Sequence, residues 1–276
     1  MRKLYWAIVS LVFCAFLASV AVLIVPDLTR DPSIYATTST NTAPEGELVV
    51  SERPDLLPAL PASLSYSPDV PQGTETYRLL DGVMPRSWVG YRPEGVVGPS
   101  PAVILFHGAG RPAVSMIDMW QAVAEAEGLT LISINQPSGG WDVENPDGHF
   151  IHAVLADASD RYDIDHDRVF LFGHSAGAIM AQMVGNRVTG PWRGVATHAG
   201  YVNPAWLYRI ADAPPMRQYL GTSDGVFNPA DARLAATYLA RAGHEYELIL
   251  IPGHTHWFYV GGPAFAADAW AWFDSL

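Results

Sequence analysis

Residues 168–187 read RVFLFGHSAGAIMAQMVGNR and constrain the fold of this chain more than any other stretch. Val169 to Phe172 is an apolar, β-leaning run, and Gly173-His174-Ser175-Ala176-Gly177 follows it at once. Ile179, Met180, Met183 and Val184 then recur at helical spacing. A strand that becomes a helix through so short a turn needs small residues around the bend. Gly173, Ala176 and Gly177 meet that demand. Such a turn lifts the side chain at its apex, Ser175, clear of the sheet, and the new helix aims its first amides at the same place. The G-x-S-x-G pattern alone is a weak signal, since ordinary composition produces it in roughly one chain in ten. The flanking strand and helix supply the context that a nucleophile elbow requires.

The rest of the composition narrows the options. Hydrophobic residues make up 49% of the 276, enough for a sizeable core. A formal charge of −12 argues against nucleic-acid binding, which needs clustered Lys and Arg, and the one basic run is Arg2-Lys3. The single cysteine, Cys14, lies in the N-terminal apolar run, so the folded part has neither a disulfide nor a thiolate metal site.

Three regions follow from the patterning. Residues 1–25 carry the uncharged run Leu4–Val25 behind Arg2-Lys3. This is a transmembrane anchor or a signal peptide. A span needs about 20 apolar residues and a signal core about 7–15, so the length favours an uncleaved anchor. Ser19-Val20-Ala21 offers a cleavage site inside the run. In either case the leading charges keep the N-terminus in the cytoplasm and send the rest across the membrane, to a periplasmic, cell-surface or secreted location. Residues 26–72 are rich in Pro, Ser and Thr and read as a poorly ordered tether, with part of 54–66 lying against the domain. Residues 73–276 alternate strand and helix. Strands are expected at 76–80, 87–92, 102–106, 129–134, 169–172, 194–197, 216–220 and 246–251, the first two as an antiparallel pair. Helices are expected at 114–127, 150–161, 230–242 and 264–273. This alternation implies an α/β fold with a doubly wound, mostly parallel sheet of about eight strands.

A serine is a poor nucleophile unless a base takes its proton and an acid orients that base. Downstream of Ser175, Asp224 lies in Gly221-Thr222-Ser223-Asp224-Gly225 at the end of an expected strand, where ligands bind in open α/β sheets. Asp231 is its main rival but falls in an expected helix, and Asp212 precedes the strand. The base belongs after the last strand, where Pro252-Gly253-His254-Thr255-His256-Trp257-Phe258 offers His254 and His256. The H-x-H pair lacks the further ligands a zinc site needs, so no metal is expected. An oxyanion needs amide donors. The N–H of Ala176 is one candidate. Ala109 in Phe106-His107-Gly108-Ala109-Gly110 is the other, with Gly110 next, and His107 is read as a brace for that loop. His174, Trp141 and Trp257 are candidates for the substrate pocket. Asp165 and Arg168 are read as braces at the start of the elbow strand.

With FHGAG, GHSAG, GTSD and PGHTHWF in this order, the chain resembles the α/β-hydrolase superfamily. Within it, the resemblance is to the polyhydroxybutyrate-depolymerase and feruloyl-esterase-like group, related to dienelactone hydrolases. Arg161 to Val169 (RYDIDHDRV) is similar to that group's Y-x-I-D-x-x-R-V approach to the elbow, and the likeness covers about residues 76–276. The group's P-G-x-G-H-G-F ending aligns the base with His256, which is therefore the expected base, and the polymer-depolymerase ending G-G-H-T-W-P would instead align it with His254. The resemblance implies a serine hydrolase, foremost a carboxylesterase acting on a small-molecule ester without a cofactor. A serine peptidase or amidase would use the same three residues. An anchored, non-catalytic binding protein with this fold is the alternative from another class.

Overall fold

The apolar runs of the sequence become the buried strands of one sheet. The computed structural model describes residues 31–38, 43–60, 63–81, 84–138 and 140–276, and Ser33–Leu276 form one unit. Among the described residues nine strands occur: β1 (Leu48–Glu52), β2 (Glu75–Asp81), β3 (Met84–Tyr91), β4 (Ser100–Phe106), β5 (Thr130–Ile134), β6 (Ile164–His174), β7 (Trp192–His198), β8 (Met216–Gly221) and β9 (Tyr246–Ile251). Their order across the sheet is β1-β9-β8-β7-β6-β4-β5-β3-β2. All neighbours pair in parallel except β2 with β3 and β3 with β5. The central strands are apolar on both faces because helices cover both. Val103, Leu105, Phe170 and Phe172 face α1 (Val114–Glu127) and α5 (Gly262–Phe273). Ile104, Phe106, Val169 and Leu171 face α2 (Gly148–Arg161), α3 (Ala176–Arg187) and α4 (Pro229–Arg241).

Two expectations are corrected. The sheet has nine strands, not eight, and the extra strand comes from the segment read as a tether. β1 pairs in parallel with β9 from Leu48↔Tyr246 to Glu52↔Leu250. Further upstream, Tyr35 bridges to Val188. Downstream, Tyr66 stacks on Tyr259 with ring centroids 3.9 Å apart. Tyr35, β1 and Tyr66 therefore lie against the domain. β1 escapes a reading of hydrophobic pattern because it is a short edge strand whose Val49 and Val50 remain exposed. Its order comes from hydrogen bonds to β9, not from a buried face.

The apolar run Leu4–Val25 lies outside the described residues. Among those described, no helix is long and apolar enough to cross a membrane.

Candidate active site

β6 ends at His174, and α3 begins at Ala176, so Ser175 alone makes the turn. It does so at φ 56° and ψ −121°, a conformation that costs a non-glycine residue about 1–3 kcal/mol. The two glycines of the motif exist because backbone passes against backbone there. A Cβ at Gly173 would lie 2.1 Å from the Gly177 carbonyl oxygen, and one at Gly177 would lie 2.0 Å from that of Phe106. The Ser175 N–H donates to the His198 carbonyl at 2.9 Å, which pins the bend to the end of β7.

Ser175 Oγ is 3.0 Å from His256 Nε2, and His256 Nδ1 is 2.9 Å from Asp224 Oδ2. The carboxylate accepts the Nδ1–H, which leaves Nε2 free to accept the serine proton. The Asp224 side chain is wholly buried, while that of His256 is 26% exposed. Asp224 Oδ1 also accepts the N–H groups of Val226 and Phe227, at 2.7 and 2.9 Å. Burial alone would raise the Asp224 carboxyl, but these bonds and that from His256 outweigh it and hold the group below the usual carboxylate range. The Phe227 ring packs against the His256 ring at 5.6 Å.

His254 does not reach Ser175. It is buried, and its Nε2 lies 2.8 Å from Nε2 of His198, whose Nδ1 lies 3.0 Å from Nδ1 of His174. Each contact needs one N–H, so the tautomers of the three rings are linked. Burial pushes His174 down to about 3 and His254 to about 4, and it holds His198 well below its ordinary value. The charges of His256 and Arg111 act on His174 in the same direction. His198 was not legible as part of this cluster from the sequence. Only the register of β6 and β7, which pairs His174 with His198, brings it in. Asp231 lies within α4, where it accepts a 3.4 Å bond from the Tyr201 hydroxyl.

The oxyanion side is built from the end of β4. The Arg111 N–H bonds the Gly108 carbonyl at 3.2 Å and closes a turn over Ala109 and Gly110, with Gly110 at φ 69°. A Cβ at Gly108 would lie 3.4 Å from Cβ of Ser175, so this turn rests against the serine. His107 braces it. Its Nε2 accepts from the Gln136 N–H at 3.1 Å, so its Nδ1–H donates to the Gly108 carbonyl at 2.8 Å. The Ala176 N–H, first in α3, is among the donors that every helix leaves without an internal acceptor.

The three pocket candidates take different places. His174 is corrected: its ring is buried beneath the elbow and stacked on Phe258 at 4.6 Å, so it does not line an opening. Trp141 donates its indole N–H to the His107 carbonyl at 3.0 Å and borders a surface cleft with Pro137, Asp147 and Met180. Trp257 is half-buried beside His256 and lines a shallow groove with Leu57 and Leu60. At the far end of β6, Asp165 caps the Asp167 N–H and Arg168 pairs with Asp274. Among the described residues, no group of three or more His, Cys, Asp or Glu is arranged to hold a metal ion.

No protein-family model and no curated protein matches the chain. Solved structures do. A thermostable esterase superposes with a TM-score of 0.63 at 16% identity, over 74% of this chain and 63% of its own. Esterase 2 of Thermogutta terrifontis, phosphorylated by paraoxon, gives 0.60 at 17% identity, over 77% of this chain and 97% of its own. The LpqC poly(3-hydroxybutyrate) depolymerase of Bordetella parapertussis gives 0.54 at 22% identity, over 74% and 91%. The chain shares their fold. It spans 63% of the length of the first of these esterases. Likeness at such identities concerns architecture, so the chemistry has to be argued from the site itself.

Proposed function

We propose that this protein is a serine carboxylesterase working through an acyl-enzyme intermediate. The carrying observation is the unbroken hydrogen-bonded series Ser175 Oγ, His256 Nε2, His256 Nδ1, Asp224 Oδ2, with links of 3.0 and 2.9 Å. In this reading Ser175 attacks the ester carbonyl while His256 takes its proton. Asp224, ionised at neutral pH, orients the ring and stabilises the imidazolium. The Ala176 and Ala109 amides hold the oxyanion. His256 returns the proton to the departing alkoxide, and water then releases the acyl group by the same route in reverse. The sequence order Ser, Asp, His is that of the α/β-hydrolase elbow enzymes. The solved structures of this fold include esterases, which makes an ester the first substrate to test, and the assembled triad argues against a non-catalytic binding role. A fluorophosphonate probe tests the proposal directly. It should label wild-type protein on Ser175 and fail to label Ser175→Ala; labelling elsewhere, or none, rejects it.

We also propose, from the sequence of residues 1–25, that the catalytic unit is held outside the cytoplasm by an N-terminal membrane anchor. The support is an uncharged run of spanning length behind Arg2-Lys3.

A further inference from the structure

Arg111 directly follows the turn that carries Ala109, and its side chain has an unusual setting. The guanidinium carbon lies 4.9 Å from the ring centre of Tyr259, 5.5 Å from that of Trp257 and 5.9 Å from that of Tyr66. Two segments supply these three rings. Trp257 and Tyr259 belong to the loop that bears His256, and Tyr66 to the segment between β1 and β2. Tyr66 and Tyr259 stack at 13°, so the platform is rigid. A carboxylate beside the platform, Asp118, is already engaged: it accepts from the Tyr66 hydroxyl at 2.5 Å and from the Asp69 N–H at 3.2 Å. Arg111 is half-buried, yet none of its five N–H donors meets an acceptor among the described residues. Other arginines that are at least partly buried do find acceptors. Arg92 donates to the Gly98 carbonyl, Arg187 to the Trp206 carbonyl, and Arg217 to Glu247 and Asp268.

A guanidinium that is always charged, held on aromatic faces and left without an anion is a prepared receptor for one. Arg111 closes the turn that rests on Ser175, and its guanidinium lies 5.5 Å from the ring of Trp257, the residue after His256, so that receptor stands beside two of the loops that build the active site. We propose that Arg111 recognises a carboxylate carried by the substrate close to the scissile ester, so that the preferred substrate is a small anionic ester. This inference rests on the serine-carboxylesterase reading. The planar fork of Arg111 matches a carboxylate in a bidentate pair, and the aromatic platform limits the side-chain entropy lost on pairing.

The test compares esters that differ only in charge. On the acyl side, mono-4-nitrophenyl glutarate is set against its neutral amide, 4-nitrophenyl glutaramate. On the alcohol side, 3-acetoxybenzoate is set against 3-acetoxybenzamide. Wild-type enzyme should favour the anion in at least one pair by about 10- to 100-fold in kcat/KM, the range of a charge-assisted contact. Arg111→Gln should bring that anionic-to-neutral ratio close to one, and Arg111→Lys, which keeps the charge but not the fork, should retain part of it. The fluorophosphonate labelling rate, measured on each variant, reports whether the site is intact. Labelling with no anionic preference in either pair overturns the Arg111 assignment alone. So does a ratio that Arg111→Gln leaves unchanged. No labelling and no ester turnover in wild-type protein defeats the esterase reading and this inference together.

Discussion

At the scale of single residues, the site separates two histidines that are one residue apart. His256 reaches Ser175 because its partner Asp224 is fixed by two backbone amides and a buried wall. His254 instead turns to His198 at the end of β7. His256→Ala should therefore cost nearly as much as Ser175→Ala, on the order of 10⁶ in kcat, as removal of a triad member does. Asp224→Asn should cost about 10⁴ by favouring the wrong imidazole tautomer. Steady-state kinetics on these variants, with His254→Ala alongside, decide the roles. His254→Ala should retain far more activity than His256→Ala and show its main loss as lowered stability. A His254→Ala enzyme as dead as Ser175→Ala would mean that the base has been assigned to the wrong ring.

At the scale of elements, what the sequence disclosed and what it hid have a common physical basis. The elbow was legible because its constraints are local: strand, bend and helix are adjacent, and close backbone approach demands small residues at set offsets. Asp224 was placed by strand-end logic, which needs only the order of the elements; the same logic brings both His254 and His256 to the loop after the last strand, and only the resemblance of that ending favours His256. Arg111, His198 and β1 owe their roles to contacts between distant segments, and no periodicity in their own neighbourhood marks them. Tyr66 was hidden for the same reason, since only the fold brings residue 66 beside residue 259. The local constraint can be tested on its own. Gly177→Ala would drive a Cβ to 2.0 Å from the Phe106 carbonyl oxygen, with backbone on both sides and no flexible atom to yield. Overpacking of this kind costs about 1–3 kcal/mol or more. Urea denaturation should show a loss at the top of that range, with activity falling as β4 and the elbow separate. A variant as stable as wild type would show that the crossing of α3 over β4 is looser than the structure has it.

At the scale of the whole molecule, two properties should be measurable without touching the active site. Fractionation and N-terminal sequencing of the mature protein test the anchor. The full chain should sit in the membrane fraction with its domain accessible from outside the cytoplasm, whereas a soluble form beginning near Val22 would reveal a cleaved signal. The second property is acid sensitivity. Burial holds His107, His174, His198, His244 and His254 below the ordinary histidine value, with His174 near 3 and both His244 and His254 near 4. His174, His244 and His254 are neutral in the fold at pH 6, and burial disfavours the charged form of His107 and His198 as well, whereas in the unfolded chain these rings take up protons near pH 6.5. The unfolded state therefore binds more protons as the medium is acidified. Stability is fully present above about pH 6.5 and is lost progressively from there toward about pH 4, by up to about 1.4 kcal/mol per pH unit for each ring. Asp224 adds a further loss at lower pH, because its carboxyl is held below the usual range and must be protonated as the pH falls through its folded value. Thermal melts should show Tm level between pH 7 and 8 and falling steeply below pH 6. His244 provides the control. It lies two residues before β9, at the opposite end of that strand from the His256 loop, with its Nδ1 bonded to the Pro214 carbonyl at 2.8 Å and its Nε2 3.1 Å from Asn186 Nδ2. With the protonated form no longer available, His244→Asn should flatten the acid limb by up to one proton's worth of slope while lowering Tm at neutral pH. An acid limb of unchanged slope in that variant would show that the ring is not held neutral in the fold.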